Sequence, residues 1–210
     1  MWSKFSGPSR RDREKMPRGE EKTLPLRLDV VRESDQSILE RLVQLYLHEM
    51  SEHHDHEVDE LGQFVFPGLD KYIRDHNRIA YLFRVKGKLA GFALVKCLET
   101  VKGDHVFTTT DFFILNTYRG LGIGEEMARM MFDENQGLWQ VPIGNEKDKT
   151  RQFWRKIVMR YTGRRFREFE TAESEGTMLE FTSPGVRIHS PAFDILTQEE
   201  GAWHSRALES

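Results

Sequence analysis

Apolar and polar residues alternate at Leu26, Leu28 and Val30, the period-two pattern of a half-buried strand. The period then lengthens. Ser34 or Asp35 offers an N-cap oxygen, and Ile38, Leu39, Leu42, Val43, Leu45, Tyr46 and Leu47 recur at helical spacing through Met50. A polar, histidine-rich loop follows, after which Leu69, Tyr72 and Ile73 predict a short second helix. The runs IAYLFRV and LAGFALVKCL flank Lys86-Gly87-Lys88, where a glycine supplies the reversal of a β-hairpin. His105 to Leu115 is rich in β-branched and aromatic residues, as a central strand should be. From Glu125 the spacing of Met127, Met130 and Met131 is helical again, with a helix stop expected near Gly137. LWQVPI reads as a short strand despite Pro142, Lys149 to Tyr161 as a helix with Phe153, Trp154, Ile157 and Val158 on one face, and FREFETA and TMLEFTS as a closing hairpin. The predicted order, β α α β β β α β α β β, is a mixed α/β (α+β) domain with an antiparallel start.

Residues 1–25 mix Ser, Gly, Pro and both charge signs with almost no apolar periodicity, so they are expected to form a disordered arm. Residues 26–182 then form the domain. From 183 to 210 the periodicity is lost again, although Phe193, Ile195, Leu196 and Trp203 could pin part of this tail. With 210 residues and 38% apolar content, one core is expected. The 31 Lys and Arg nearly balance the 34 Asp and Glu, which argues against a nucleic-acid footprint and for a small neutral or mildly cationic partner. Cys97 is the single cysteine, which excludes an internal disulfide framework and points to ordinary packing. With no apolar run of the roughly 20 residues that span a bilayer and no signal-peptide core, the expectation is a cytoplasmic protein that does not engage a membrane.

The most informative segment is Arg119-Gly120-Leu121-Gly122-Ile123-Gly124, between a strong strand and an amphipathic helix. A helix N-terminus presents unpaired N–H groups and a partial positive charge, and glycines let phosphate oxygens reach the main chain. Arg119 could add a full charge at the rim. A dinucleotide fingerprint would need a third glycine where Met127 stands, and a Walker loop would need Gly-Lys-Ser/Thr where Glu125 follows Gly124. What remains is Arg-x-x-Gly-x-Gly.

In this loop, and in the order of its strands and helices, residues 26–182 resemble the GNAT superfamily of acetyl-CoA-dependent N-acetyltransferases. The resemblance implies a central mixed, mostly antiparallel sheet of six or seven strands with about four helices, splayed between its fourth and fifth strands. It implies acetyl-CoA as cosubstrate, with Gly120 to Gly124 on the pyrophosphate and the backbone of Phe112, Phe113 and Ile114 along the pantetheine arm. Asn145, Phe153 and Trp154 resemble the family's further CoA-flanking segment, although Phe153-Trp154 would align the expected Asn with Lys147, so a short insertion is needed.

Acyl transfer to an amine needs a neutral nucleophile, a stabilised oxyanion and a protonated leaving thiol. Where many GNAT enzymes carry a tyrosine on the helix after the fifth strand, this chain has Trp154, and an indole cannot supply that proton. Counting back from Asn145 places Gln140 at the family's fifth-strand glutamate. The remaining base candidates are Asp111 and the loop Glu52 to Glu57, of which His54 is the representative imidazole. Thr108 to Thr110 and Tyr46 are further candidates for substrate contact. The histidines invite a metal reading, but His48 and His53 stand five apart rather than the four that share a helix face, and no metal is assigned. The expected acceptor is an amine, of a small molecule rather than a protein; a homodimer is left open. A non-catalytic CoA-binding module on the same scaffold is the alternative, and a partner-binding domain with an incidental glycine loop ranks third.

Overall fold

The computed structural model describes residues 25–52, 55–100, 103–143, 149–170 and 176–183. The N-terminal arm, apart from Pro25, and the C-terminal tail, apart from Ser183, lie outside them. The elements are β1 (Leu26–Val30), α1 (Gln36–Met50), α2 (Lys71–Arg74), β2 (Arg78–Val85), β3 (Lys88–Glu99), β4 (His105–Ile114), α3 (Ile123–Glu134), β5 (Leu138–Pro142), α4 (Lys149–Tyr161), β6 (Arg167–Glu170) and β7 (Thr177–Thr182). This is the order the periodicity predicts. One seven-stranded sheet runs β1-β2-β3-β4-β5-β7-β6. Every pairing is antiparallel except that of β4 with β5.

Two element ends differ from the sequence expectation. A 3₁₀ turn at Glu33–Asp35 precedes α1, and the Asp35 carboxylate accepts the Arg32 N–H (3.2 Å) within that turn, with no side-chain cap on α1 itself. Helix α3 stops at Glu134, with Asn135 as its C-cap, short of Gly137. Gly137 answers to a different constraint: a Cβ there would lie 2.6 Å from the His105 carbonyl of β4.

The sheet is covered on both faces around β2 to β4, which is why these strands read as near-continuous apolar runs. One face packs α3 and α4 through Phe83, Val95, Phe107, Met127, Phe132, Trp139, Trp154 and Phe181. The other packs α1 and α2 through Leu39, Val43, Tyr72, Phe92, Leu94 and Phe113. No described helix is long and apolar enough to cross a membrane.

Strand β4 carries the feature that positions the site. Its register against β3 pairs Val95 with Thr109 and Leu94 with Asp111, leaving Thr110 as the extra residue of a β-bulge. In an unbroken strand Thr108 and Asp111, three apart, would face opposite sides. The bulge restores them to one face, with Lys96 and Leu94 as their respective partners.

The parallel pairing of β4 with β5 covers only Val106–Leu138, Phe107–Trp139 and Thr108–Gln140. Continued in register, the ladder would bring Thr110 opposite Pro142. Both strands are defective at that rung, one by an inserted residue and the other by a missing N–H. The Ile143 N–H donates to Thr177 of β7 (2.9 Å), so the position before it, Pro142, faces β4. Beyond Gln140 the strands therefore part, as the splay expected between the fourth and fifth strands.

Candidate functional site

A cavity of about 500 Å³ opens between the glycine loop, the end of β4 and α4. It gathers Phe112, Ile114, Arg119, Gly120, Gly122, Gly124, Phe153 and Trp154 from the sequence candidates, and adds Glu125, Thr150, Lys156 and Ile157. Leu121 is 62% exposed outside it, while Ile123 is buried in the α3 core. The Phe113 side chain packs on the opposite face of the sheet, against Tyr46 and Phe92, which leaves only its backbone on the cleft side. Asn145 and His54 lie outside the described residues.

The main chain of the loop has the form of an anion cradle. Gly120 (φ +73°) and Gly122 (φ +77°) are left-handed, and Gly122 is the N-cap of α3. The amides of Gly120, Leu121, Gly122, Ile123 and Gly124 donate to no acceptor in the described structure, whereas those of Glu125 and Glu126 return to the Gly122 carbonyl. A diphosphate fits such a row of donors at a helix N-terminus. Glycine is not required throughout by crowding: a Cβ at Gly120 or Gly122 meets nothing within 4 Å, so backbone handedness is the constraint there. Gly124 is the position where space is short, with the Phe153 ring 3.2 Å from a Cβ.

Charge around the cradle is arranged differently from the sequence expectation. The Arg119 guanidinium makes a two-pronged pair with Glu49 at the end of α1 (2.5 and 2.9 Å) and donates from Nε to the Ile114 carbonyl (2.7 Å). Arg119 thus ties the loop to α1 and β4, with its charge balanced by Glu49. Glu125 lies in the cavity wall, but Arg160 (2.8 Å) and Lys156 (3.8 Å) draw its carboxylate to themselves. The local positive field comes from the amides, the α3 dipole and Lys156.

Trp154 is only 4% exposed, its ring 4.9 Å from Phe112 and 5.2 Å from Phe153. It is a core residue whose edge reaches the cavity wall. Phe153 is half-buried, 5.8 Å from Phe112. Both rings thus pack against the core and line the cavity at once.

On the opposite face, the bulge presents Thr110 and Asp111 to the helices. Thr110 Oγ1 and Tyr72 Oη are hydrogen-bonded at 2.8 Å, and Thr110 also donates to the Leu94 carbonyl (3.2 Å). Burial pushes the Asp111 carboxyl above its ordinary range, opposed by the neighbouring Thr110 and Tyr46 hydroxyls and by the Lys96 charge. Burial also drives the Tyr46 phenol well above its ordinary value, with the Asp111 charge adding to it. Gln140 and Glu180 are buried on this face too, and Gln140 Nε2 donates to Glu180 Oε2 (2.8 Å). Glu49, Lys156 and Glu180 were missed in the sequence. Only Glu180 left a trace there, as a charge inside the otherwise strand-like TMLEFTS.

No family model matches this sequence, and no curated protein matches it. Solved structures do. The chain is similar to Arabidopsis thaliana Naa50 in complex with the bisubstrate analogue CoA-Ac-MVNAL (14% identity, 74% of this chain and 96% of that one, TM-score 0.50). It is similar to an acetyltransferase from Thermus thermophilus (18% identity, 75% and 96% covered, TM-score 0.51). A GNAT-family protein from Bacteroides thetaiotaomicron aligns over 75% of this chain and 86% of its own (13% identity, TM-score 0.51). At these identities the likeness is one of fold, and the fold of this chain is that of the GNAT acetyltransferases.

Proposed function

We propose that this protein is an acetyl-CoA-dependent N-acetyltransferase acting on a primary amine of a small-molecule acceptor. The observation that carries the reading is the row of unpartnered amides from Gly120 to Gly124, opening onto a cavity of about 500 Å³ beside the unpaired edge of β4. Those amides would hold the diphosphate, and the β4 backbone from Phe112 to Ile114 would pair with the pantetheine arm. Phe112, Phe153 and Trp154 would wall the cleft. The CoA-based analogue bound to the similar Naa50 supports the same ligand on this fold.

When bound, acetyl-CoA supplies an acyl group activated as a thioester. The protein contributes position first, which is worth up to roughly 7–11 kcal/mol of the barrier. Asp111 is the proposed base: its raised pKa strengthens it as a proton acceptor, and the Tyr46 and Thr110 hydroxyls neighbour its carboxylate. It takes the proton the amine nitrogen loses as the new N–C bond forms and the C–S bond breaks. Trp154 supplies no proton to the departing sulfur, so that proton comes from solvent or acceptor.

Calorimetric titration with acetyl-CoA tests the binding half of this reading, with a saturable heat expected and its absence refuting it. Thiol release with a panel of amines tests the other half. Tight binding with no thiol release would favour the non-catalytic CoA module that the absence of a phenol at Trp154 allows.

A further inference from the structure

A single polar row crosses the sheet on the α1/α2 face. Its register partners run from Lys96 of β3 to Thr108 of β4, Gln140 of β5, Glu180 of β7 and Arg167 of β6. Directly paired residues project to the same side, so these side chains line one face in file. Thr108–Gln140 is the last rung before β4 and β5 part, so this pair stands where the gap between the two strands begins, on the sheet face opposite the α3/α4 side.

The row has a fixed polarity. Glu180 is 6% exposed, and a charge so covered must be partnered. Arg167 meets one oxygen (2.5 Å), and Gln140 Nε2 donates to the other (2.8 Å). Only the nitrogen end of an amide can donate to a carboxylate, so Glu180 dictates which way Gln140 points. Gln140 Oε1 is left as an acceptor with no donor from the described protein. Across the rung, Thr108 Oγ1 is covered and has no hydrogen-bond partner among the described residues, an unfavourable state for a buried hydroxyl. Thr108 as a residue is partly exposed, and a change of χ1 is the motion by which its hydroxyl would turn to an amine beside Gln140.

We infer that Gln140 Oε1 and Thr108 Oγ1 form the docking point for the acceptor amine, an inference that rests on the acetyl-transfer reading above. A neutral primary amine has two N–H donors and one lone pair. Two oxygens on adjacent strands take both hydrogens and leave the lone pair free to attack. A secondary amine can satisfy only one of them. Gln140 does not titrate, so it orients the nitrogen without holding it as an ammonium ion, and the proton passes to another group. Glu180 is the positioning residue that fixes the Gln140 amide. The row therefore selects neutral primary amines.

The test uses the full chain with acetyl-CoA, taking hydroxylamine as the probe amine and N-methylhydroxylamine as its counterpart with one N–H fewer, and follows thiol release above the uncatalysed rate. Wild type is expected to prefer hydroxylamine at least tenfold in kcat/KM. Thr108→Val, which keeps the shape and breaks no protein hydrogen bond, is expected to cut that preference to threefold or less. Its Tm should be equal or higher, and its calorimetric Kd for acetyl-CoA should stay within twofold. Glu180→Gln should erode the preference in the same way, because Gln140 is then free to turn. A ratio taken within one protein does not depend on the fraction folded, and Val matches Thr in bulk, so neither misfolding nor crowding by the methyl group reproduces this pattern. A wild-type preference retained in both variants overturns the inference, as does a wild type that releases thiol with other primary amines but none with hydroxylamine; a wild type that binds acetyl-CoA yet releases no thiol with any amine removes acetyl transfer instead. A wild type that does not bind acetyl-CoA removes the acetyl-transfer reading itself.

Discussion

Replacing Gly122 by alanine separates backbone handedness from crowding in the glycine loop. The added methyl meets no atom within 4 Å, so a steric account predicts no cost. The backbone account predicts otherwise, because φ +77° is a left-handed conformation that costs an L-residue about 1–2 kcal/mol. If the loop holds its shape, that strain appears as lost stability. If it relaxes to negative φ, the amides of Gly122 and Ile123 rotate away from the cavity, and the loss appears in ligand binding, where the same energy is about 5–30-fold in Kd. Gly122→Ala is therefore expected to lose about 1–2 kcal/mol, divided between urea unfolding and calorimetric affinity for acetyl-CoA. Gly124→Ala is the internal contrast. Its φ is ordinary and a Cβ gains helix propensity, roughly 0.5–1 kcal/mol, but the Phe153 ring, 3.2 Å away, must shift slightly. Its stability should change by less than about 0.5 kcal/mol. If Gly122→Ala matches wild type in both assays, the left-handed argument is wrong, and with it the reason for glycine at the N-cap of α3.

Two further substitutions address the fold and the bulge. Asp111→Asn should raise stability at neutral pH and lower acetyl transfer. Burial raises the folded-state pKa of Asp111, so the folded protein binds this proton more tightly than the unfolded chain, and stability falls as pH rises from the ordinary value of 3.8 through the folded pKa. The advantage of Asn should therefore be full above that folded pKa and shrink towards pH 3.8 and below, as urea unfolding across pH will reveal; an advantage independent of pH would contradict the burial argument. Gly91→Ala should destabilise by about 3 kcal/mol, the upper end for overpacking, because its Cβ would sit 1.9 Å from the Phe113 carbonyl oxygen, a backbone atom that cannot swing aside. Chemical denaturation measures it directly.

The sequence showed the elements where one periodicity held over a whole segment. The helix Lys149–Tyr161 and the strand Leu26–Val30 come out within their expected limits because their apolar residues answer to a single packed face. The glycine loop was legible for a different reason: left-handed backbone leaves its mark as residue type. The register of β4 was not legible. An inserted Thr110 leaves no mark among three consecutive threonines, yet it decides which face Asp111 and Thr108 share. Pairings across long separations were hidden too. Arg119 looked free to meet phosphate because nothing local indicates that Glu49, seventy residues earlier, reaches it. Glu180 and Gln140 become partners only once β7 is inserted between β5 and β6.

Pro142 has no such ambiguity about direction, since the Ile143 N–H bonds to β7 and the preceding position must face β4. Pro142→Val would put a donor on the cleft edge at the rung where pairing now ends. One added hydrogen bond contributes about 1 kcal/mol, while losing proline's restriction of the unfolded chain costs about 0.4–1 kcal/mol. Net stability should therefore change little, and a melting curve alone would miss the effect. Affinity is the sensitive observable, because any ligand lying between β4 and β5 must first break the new bond. The expected loss is about fivefold in Kd for acetyl-CoA, the equivalent of about 1 kcal/mol, together with slowed hydrogen exchange of the introduced amide. An unprotected amide with unchanged affinity would mean that the Thr110 bulge holds the strands apart by itself, leaving Pro142 only to follow a path that β4 has already set.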